Sequence, residues 1–544
     1  MESTYITTRT LLAKSLLIIL LVVPILLLLR PVSTGTAKDK VKNEPGKGPA
    51  VSEKTPATAQ PSDLARRIDS AIDQSELASA RWGICVISMS DGSTLYQRDA
   101  DKLFTPASNM KIYTTGVALD LLGADYRWRT SVYANAQPDA GGVIQGDLML
   151  YGRGAPDLVA RSTENKESLA KLADDLYVRG VRHVNGNVIG DESYFRGDPL
   201  GDGWQWTDLQ WYFGAEASAL SVNGNEVDVN FVPSTKAGES SVVRVSDPES
   251  YVTVQNRMAV GKPGVRPTIG VYRGLSDNNI ELWGEFAPGS KGFGARLSVH
   301  NPALWAAKLF LDALKTRGIT VAGETLARNS RVPPSQRFNP TQAIELASVS
   351  SLPFSEIAKR TNKESVNLNA ELILRTLGRE RGEMAALPGA IGKERGDDEA
   401  GLAVIRVWLA RAGIPTSRLA LHDGSGLSRL NLVTPDSSAR LLLSLSRTAA
   451  AAVFRESLPI SGRDGTLGGR LTGIIDRVSA KTGSLTYDNS LSGYITTADG
   501  KGLAFSIMCN DQTGRSNSTR LIDQIVTLLA ASPNLPAEKM QKSE

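Results

Sequence analysis

The stretch Phe104-Thr105-Pro106-Ala107-Ser108-Asn109-Met110-Lys111 decides how the whole chain is interpreted. Its Thr-Pro pair is typical of a helix start, and the apolar spacing that follows predicts a helix up to Gly123. Residues three positions apart on a helix share a face, so we expect the Ser108 hydroxyl to contact the Lys111 amine. A lysine can activate a serine as nucleophile when burial and a neighbouring cation keep the amine neutral. Alone, this spacing is weak evidence, because chance gives it about twice in such a chain.

Two more short motifs follow in the chain. Ser365-Val366-Asn367 lies between two helical segments, where capping of the second helix is the ordinary interpretation. Alternatively, its hydroxyl and carboxamide relay a proton and hold a substrate amide. Lys481-Thr482-Gly483 is predicted to lie on a strand, where the glycine lets a ligand approach the backbone and the other two residues grip a carboxylate. The alternative there is a strand end with a solvated lysine.

In this order, the three motifs match the signature of serine β-lactamases and penicillin-binding proteins. Roughly 250 residues separate the first motif from the second, far more than a β-lactamase requires. The chain resembles the class C low-molecular-mass penicillin-binding proteins, a D-alanyl-D-alanine carboxypeptidase and endopeptidase family with a large insertion behind the active-site helix. The similarity covers roughly Leu64 to Leu529. Besides 104–111, it is carried by Trp211-Tyr212-Phe213-Gly214-Ala215, Leu220-Ser221-Val222-Asn223, Asp423-Gly424-Ser425-Gly426-Leu427-Ser428-Arg429 and Asp464-Gly465-Thr466-Leu467.

The fold class expected from this resemblance is α/β of the α+β type. It is a serine β-lactamase or transpeptidase-like domain with an antiparallel sheet flanked by helices, carrying a large β-rich insertion. The residues agree, because a hairpin pattern near the start and three strand patterns near the end suggest one sheet built from both chain ends. The predicted divisions are a signal sequence or anchor at 1–37, a disordered tether at 38–62, a catalytic domain at 63–134 and 346–535, inserted domains at 135–345, and a tail at 536–544.

The resemblance also implies a role for each motif residue in an acyl-enzyme mechanism that needs no metal and no cofactor. Ser108 is the expected nucleophile, Lys111 its base and Ser365 the proton relay. The expected substrate-binding residues are Asn367 for an amide, Lys481 and Thr482 for a carboxylate, and Ser484, whose backbone N–H would form the oxyanion hole with that of Ser108.

The implied substrates are peptidoglycan stem peptides, and the implied inhibitors are β-lactam antibiotics. The resemblance implies carboxypeptidase cleavage of D-Ala-D-Ala ends, and it leaves open endopeptidase cleavage of D-Ala-diaminopimelate cross-links as a second reaction. Arg429 is expected to meet the carboxylate of the third-position side chain. The aspartate that the family usually places in a Gly-x-Gly-Asp-Pro segment is replaced here by Ala155, and Asp157 is a candidate substitute.

Composition and charge argue against nucleic-acid binding and against a histidine metal site. The first 62 residues carry the whole formal charge of +4, so the body is near neutral and lacks the basic patch of a nucleic-acid-binding protein. The three histidines have no metal-ligand spacing. Two cysteines, Cys85 and Cys509, lie in predicted strands and are either paired or free and buried.

The N-terminal segment predicts export. Leu16 to Leu29 is an apolar run between Lys14 and Arg30, with a length that suits a signal sequence better than a membrane span. Small residues at 35–37 favour cleavage over anchoring. The protein is therefore expected in the periplasm or cell envelope, with membrane contact only through this segment if it is uncleaved.

Three other functions compete with this interpretation. A β-lactamase shares the first and third motifs, but the insertion argues against it. A non-catalytic wall-binding scaffold would not require all the motif residues together. A triad esterase built from His422, Asp423 and Ser425 lacks the Gly-x-Ser-x-Gly elbow that such enzymes use.

Overall fold

The computed structural model describes residues 63–160, 168–239, 241–246, 251–384, 396–514 and 517–531. The predicted export segment, the tether and the C-terminal tail lie outside these residues. Within the described part of the chain, no helix has both the length and the apolar character needed to cross a membrane.

The described residues form a mixed architecture of ten α-helices and nineteen strands. The helices are α1 Asp63–Asp73, α2 Met110–Leu122, α3 Leu169–Val178, α4 Pro302–Thr316, α5 Phe354–Lys363, α6 Asn367–Arg381, α7 Asp397–Arg411, α8 Pro435–Leu445, α9 Ala451–Ser457 and α10 Ser518–Ala531. The strands are β1 Arg81–Ser88, β2 Thr94–Arg98, β3 Arg129–Ala134, β4 Val143–Ile144, β5 Leu148–Tyr151, β6 His183–Val184, β7 Val188–Asp191, β8 Glu226–Val232, β9 Val242–Val245, β10 Thr253–Val260, β11 Thr268–Arg273, β12 Asn279–Phe286, β13 Phe293–Ser298, β14 Thr320–Val321, β15 Thr325–Arg328, β16 Ile344–Ser350, β17 Val478–Leu485, β18 Asp488–Thr496 and β19 Gly502–Asn510.

A five-stranded antiparallel sheet joins the two ends of the described chain, in the order β17-β18-β19-β1-β2. Strand β1 pairs with β19 over its whole length, from Arg81 opposite Asn510 to Ser88 opposite Leu503. The predicted single sheet built from the first hairpin and the last three strands is therefore confirmed. One face of this sheet packs on α1 and α10, and the other packs on α2 and α8.

The two cysteines lie on neighbouring strands of this sheet without pairing. Cys85 is opposite Ser506, three positions away from Cys509. Because side chains alternate along a strand, the two thiols point to opposite faces of the sheet. Both are free and buried, and burial raises the pKa of each thiol to about 12. Of the two alternatives that the sequence left open, free thiols are correct.

Helix α2 is the central helix of the layer behind the sheet. Its first ten residues, Met110 to Leu119, are all buried, and α5, α6 and α8 pack around it. The helix ends at Leu122 with Gly123 at φ 90° as its C-cap, as the sequence predicted. Its start differs, because a turn of 3-10 helix from Ala107 to Asn109 precedes the α-helix proper. Ser108 therefore lies on the 3-10 turn, and Lys111 lies on the first turn of α2.

Four further sheets lie between α2 and α5 in the chain. The largest is mixed and has the order β15-β7-β5-β3-β16, and the other three are β14-β6-β4, β13-β8-β9 and β10-β12-β11. The predicted domain boundaries at 134/135 and 345/346 fall at the end of β3 and within β16, two strands that pair with each other. The division into catalytic and inserted domains stays a prediction.

Candidate active site

Ser108 and Lys111 meet as their spacing predicted. Lys111 Nζ donates a hydrogen bond to Ser108 Oγ at 2.9 Å. The turn that carries the serine is tight, since Ala107 has φ 48°, a left-handed value that few non-glycine residues adopt. Ser108 is partly exposed, whereas Lys111 is fully buried. The hydroxyl is thus open to a ligand, and its amine partner is not.

Lys111 donates two more hydrogen bonds, both to neutral oxygen atoms. Its Nζ lies 2.7 Å from Asn367 Oδ1 and 2.7 Å from the Ser425 carbonyl oxygen. Burial lowers the pKa of the Lys111 amine to about 7, against the opposing charges of Asp423 and Glu371. An amine with a pKa near 7 is neutral in a large fraction of molecules at neutral pH, so Lys111 can accept a proton there.

The Ser365-Val366-Asn367 motif lies on the connection between α5 and α6. The N-cap of α6 is Val366, with no side-chain capping bond, so capping does not explain the motif. Asn367 instead accepts from Lys111 and donates through Nδ2 to the Phe213 carbonyl oxygen at 2.9 Å. Ser365 has φ 60°, and its Oγ accepts a 3.0 Å hydrogen bond from Lys481 Nζ.

Lys481 and Thr482 lie on β17, the edge strand of the sheet. Lys481 is completely buried, and burial together with the nearby charge of Lys111 holds its pKa well below the usual range. Its solvated-lysine alternative is therefore wrong. The Thr482 hydroxyl lies 2.7 Å from that of Thr466. A Cβ on Gly483 would come within 2.7 Å of the Pro106 carbonyl oxygen, so only glycine lets this strand approach the Ser108 turn so closely.

These motifs meet beside one cavity of about 520 Å³. Five predicted site residues line it: Ser108, Ser365, Asn367, Ser484 and Arg429. The other three do not line the cavity: Lys111 contacts Ser108, Lys481 contacts Ser365, and Thr482 lies two residues before Ser484 on the same strand. Ser484 is exposed, and its hydroxyl donates to Asn489 Oδ1 at 2.8 Å.

Arg429 lies on the cavity wall and is partly exposed. Its Nη1 donates to the Thr486 carbonyl oxygen at 3.2 Å and pairs with Asp488 at 3.4 Å. Asp157, the candidate for the missing family aspartate, accepts from the Leu352 backbone N–H at 2.8 Å and is not part of the cavity lining. Asp208 does line the cavity, and the charge of Arg429 acts on it, although burial raises its pKa.

Two buried carboxylates, Glu371 and Asp423, shape the site, and the sequence assigned neither of them a role in the acyl-enzyme mechanism. Glu371 accepts from the backbone N–H groups of Gly424 and Ser425 at 3.0 and 2.8 Å, and it pairs with Arg375 at 3.0 Å. Burial and the charge of Asp423 raise the pKa of Glu371 to about 7. Nothing in the sequence distinguishes Glu371 from an ordinary helical glutamate, because its partners are distant in the chain.

Asp423 organises the loop at 423–428. It accepts from the backbone N–H groups of Gly426 and Ser428 at 2.8 and 2.7 Å. This loop supplies the Ser425 carbonyl oxygen that contacts Lys111. The stretch from Asp423 to Arg429 carried part of the family resemblance, which implied a role for Arg429 but none for residues 423–428. The triad esterase receives no support, because His422 Nδ1 pairs with Asp202 at 2.8 Å.

Gly426 connects this loop to the Ser108 turn and generates a testable prediction. It has φ 82°, and a Cβ at this position would lie 1.8 Å from the Ala107 carbonyl oxygen. We expect Gly426→Ala to displace the turn and to slow labelling of the protein by a fluorescent penicillin at least tenfold. Gly413→Ala is the matched control, since Gly413 has φ 75° with open space around it.

The control should lose only about 1–2 kcal/mol of stability from left-handed strain and should label at the parent rate. Equal labelling rates for the two variants, measured on folded protein, would show that the contact between Gly426 and Ala107 does not position the serine.

Comparison with known proteins agrees with this geometry. The model of the D-Ala-D-Ala carboxypeptidase 3 (S13) family matches residues 64–532. The chain is 33% identical over 482 residues to a D-alanyl-D-alanine carboxypeptidase of Actinomadura sp. (strain R39), an alignment that covers 86% of this chain and 84% of the relative. It is 28% identical over 409 residues to the carboxypeptidase DacB of Haemophilus influenzae, covering 73% of this chain and 79% of that protein.

The fold is also similar to a known crystal structure. Penicillin binding protein 4 from Haemophilus influenzae superposes with a TM-score of 0.71 at 24% identity, over 85% of this chain and 98% of that one. The family match spans most of the chain, including all three motifs, and confirms the resemblance inferred from them. The chain therefore belongs to the D-Ala-D-Ala carboxypeptidase 3 (S13) family.

Proposed function

We propose that this protein is a serine D-Ala-D-Ala carboxypeptidase that trims peptidoglycan stem peptides through an acyl-enzyme on Ser108. The observation that carries the proposal is the 2.9 Å contact between Lys111 Nζ and Ser108 Oγ at the wall of the cavity. Family membership supports the class of reaction, and the contact supports the assignment of Ser108 as nucleophile and Lys111 as base. Cleavage of D-Ala-diaminopimelate cross-links uses the same chemistry, with a larger leaving group.

Acylation begins when Ser108 Oγ attacks the carbonyl carbon of the penultimate D-Ala. The hydroxyl proton passes to neutral Lys111, and the oxygen–carbon bond forms. Negative charge then develops on the carbonyl oxygen, where the backbone N–H groups of Ser108 and Ser484 act as the oxyanion hole. Each such donor is worth several kcal/mol of barrier in enzymes of this kind.

The intermediate collapses by breaking the carbon–nitrogen bond of the terminal D-Ala. The departing amine takes the proton that Lys111 accepted, relayed through the hydroxyl of Ser365, which is 3.0 Å from Lys481 Nζ. Asn367 binds the substrate amide while it bridges Lys111 and the Phe213 carbonyl. Water then hydrolyses the ester and regenerates Ser108. A β-lactam follows the first step only, because its leaving nitrogen stays tethered to the acyl group.

Lys481 and Thr482 bind the terminal carboxylate. Lys481 is held at a lowered pKa by burial and by Lys111, so two adjacent ammonium ions are disfavoured in the empty site. A bound carboxylate favours the protonated form of Lys481, because an opposite charge stabilises an ammonium ion. A substrate with a free C-terminal carboxylate therefore favours the protonated form of Lys481, which is the form that binds it.

The third-position side chain is recognised by an arginine and an aspartate on the cavity wall. The Arg429 guanidinium suits a carboxylate, since its planar fork can donate two parallel hydrogen bonds. Asp208 provides the anionic partner for an ammonium group, in place of the family aspartate that Ala155 replaces. The side chain of diaminopimelate carries both groups.

We also propose that the enzyme acts outside the cytoplasmic membrane, in the periplasm or cell envelope. The support is its substrate class, since peptidoglycan lies there, and the signal-like run Leu16 to Leu29. Release after Ala37 and attachment through an uncleaved segment differ in the mature N-terminus, which N-terminal sequencing reads directly.

For carboxylate binding, we predict that Lys481→Ala removes the preference for a free C-terminus. A charge-assisted hydrogen bond contributes about 1.5–3 kcal/mol, which equals roughly ten- to a hundredfold in kcat/KM. The ratio of kcat/KM for a D-Ala-D-Ala peptide to that for its C-terminal amide should fall by this factor. Lys501→Ala, at an exposed lysine in the β18–β19 connection, is the control. If this ratio is unchanged in Lys481→Ala, Lys481 does not bind the terminal carboxylate.

For the third position, we predict that Arg429→Ala and Asp208→Asn act differently on peptides bearing diaminopimelate, its amidated form or lysine. Arg429→Ala should reduce the advantage of diaminopimelate over the other two by about ten- to a hundredfold, because only that side chain has a free carboxylate. Asp208→Asn should lower kcat/KM for all three peptides alike, since all three carry the amine. Asp157→Asn, outside the cavity lining, should preserve the parent ratios. Loss of discrimination in the Asp157 variant alone would refute the assignment of Asp208.

A further inference from the structure

The three-stranded sheet β10-β12-β11 has one face in the protein core and the other in solvent. Strand β12 is central, with β10 parallel to it on one side and β11 antiparallel on the other. Ile280, Leu282 and Phe286 of β12 are buried, and the Phe286 ring lies 5.4 Å from that of Phe231 on β8. Because side chains alternate along a strand, the residues between these three point away from the core. They form the outer face of the sheet.

Two aromatic side chains lie on this outer face. Trp283, in the middle of β12, is 48% exposed, and Tyr272 on β11 is 42% exposed. Trp283 is opposite Gly270 and Tyr272 is opposite Glu281, so the two aromatic residues are diagonal neighbours. Residues at diagonal positions are about 7–8 Å apart, so one extended ligand can contact both rings. Most other side chains of the outer face are polar, among them Thr253, Gln255, Arg257, Thr268, Glu281 and Glu285.

Gly270 allows the Trp283 ring to lie flat on the sheet. A Cβ at position 270 would overlap three atoms of the indole, Cδ2, Cε2 and Cζ2. The ring therefore fills the space that a side chain at this position would need, and its second face is turned to solvent. Gly270 is not among the residues with positive φ. The indole thus requires the missing side chain at this position and not an unusual backbone conformation.

A row of polar side chains runs beside the indole. Arg257 on β10 is at the register position of Trp283. Its Nη1 pairs with Glu281 Oε2 at 3.3 Å, and its Nη2 donates to Gln255 Oε1 at 3.0 Å. Glu281 balances the charge of Arg257, and Glu285 adds a negative charge to the same face. The outer face therefore offers hydrogen-bond donors and acceptors without the excess positive charge that phosphates, anionic lipids or nucleic acids require.

The apolar area of the outer face is too small for a stable protein partner. A buried aromatic side chain covers about 150–250 Å², so these two half-exposed rings offer roughly 200 Å². A standard protein interface buries about 800 Å² on each partner.

A sugar ring fits this face better than a protein does. One side of a pyranose ring consists of C–H bonds, whose partial positive charge is attracted to the negative face of an aromatic ring. Its hydroxyl and acetamido groups can exchange hydrogen bonds with the row of polar side chains. The chemistry of the outer face therefore suits a neutral, N-acetylated oligosaccharide.

We propose that the outer face of β10-β12-β11 is a binding site for the glycan strand of peptidoglycan. One sugar stacks on Trp283, a neighbouring sugar packs against Tyr272, and their polar groups bond to Arg257 and Glu281. The choice of this polysaccharide rests on the proposed function, since the stem peptides that the enzyme cleaves are attached to it. The site holds the enzyme on the polymer, takes no part in bond cleavage and requires no contact with the cavity beside Ser108.

Titration of the full-length protein with a β-linked hexamer of N-acetylglucosamine, followed by ligand NMR, tests the proposal. This neutral probe has the sugar backbone of the strand and neither lactyl groups nor peptides. We expect the parent to bind and Trp283→Ala to bind about tenfold more weakly, because the stacking surface is lost. Gly270→Ala keeps the indole but displaces it, and it should weaken binding by a similar factor. Ile269→Ala is the matched control, because Ile269 is 50% exposed on the same strand but points to the other side of the sheet.

The outcomes separate this proposal from the proposed function. No binding by the parent, or equal affinity of the parent and Trp283→Ala, overturns the glycan site. Self-association of the parent in sedimentation velocity that Trp283→Ala abolishes would identify the face as a contact between copies, which also overturns it. Absence of penicillin labelling of the parent refutes the proposed function, whereas normal labelling without hexamer binding refutes only the glycan site. Labelling at the parent rate shows that each variant is folded, and Tyr272→Ala replaces Trp283→Ala if the latter is not.

Discussion

Burial of the Lys111 ammonium group is the constraint on which the active site depends. Removing a charged amine from water is unfavourable, so its hydrogen atoms must be accepted by protein groups. The acceptors are Ser108, Asn367 and Ser425, which come from three distant segments of the chain. The helix start, the α5–α6 connection and the loop at 423–428 therefore have to converge on one nitrogen atom. The burial that demands this convergence also lowers the pKa of the amine to about 7 and makes it a base.

The nearby negative charges oppose the effect of desolvation on the pKa of Lys111, but they do not reverse it. Glu371 and Asp423 raise the pKa of Lys111, but the described contacts do not join their oxygens to the lysine itself. Those oxygens accept from backbone N–H groups and from the side chains of Arg375, Trp204, Ser425 and Asn431. Burial and the charge of Lys111 in turn lower the pKa of Lys481, because two buried ammonium ions repel each other. In the proposed mechanism, Lys481 gains its charge when a substrate carboxylate binds.

The contacts that could be predicted from the sequence depend either on local helix geometry or on the order of the three motifs along the chain. The spacing of Ser108 and Lys111 predicts their contact because helical residues three apart share a face. The sheet built from both chain ends also followed from strand patterns. Glu371 and Gly426 were not identified, since their roles depend on backbone atoms far away in sequence. The 3-10 turn was missed for a related reason, as the left-handed Ala107 is stabilised by tertiary contacts and not by local propensity.

Peptide mapping by mass spectrometry after penicillin treatment, carried out over a range of pH, tests whether Ser108 is the nucleophile and Lys111 its base. We expect a single adduct on Ser108. Its rate of formation should rise with pH through about 7, because Lys111 is a base only when it is neutral and its pKa lies there. The adduct should be absent in Lys111→Ala. An unmodified Ser108 in folded, fully treated protein, an adduct on another residue, or a rate that does not change across neutral pH would contradict the account.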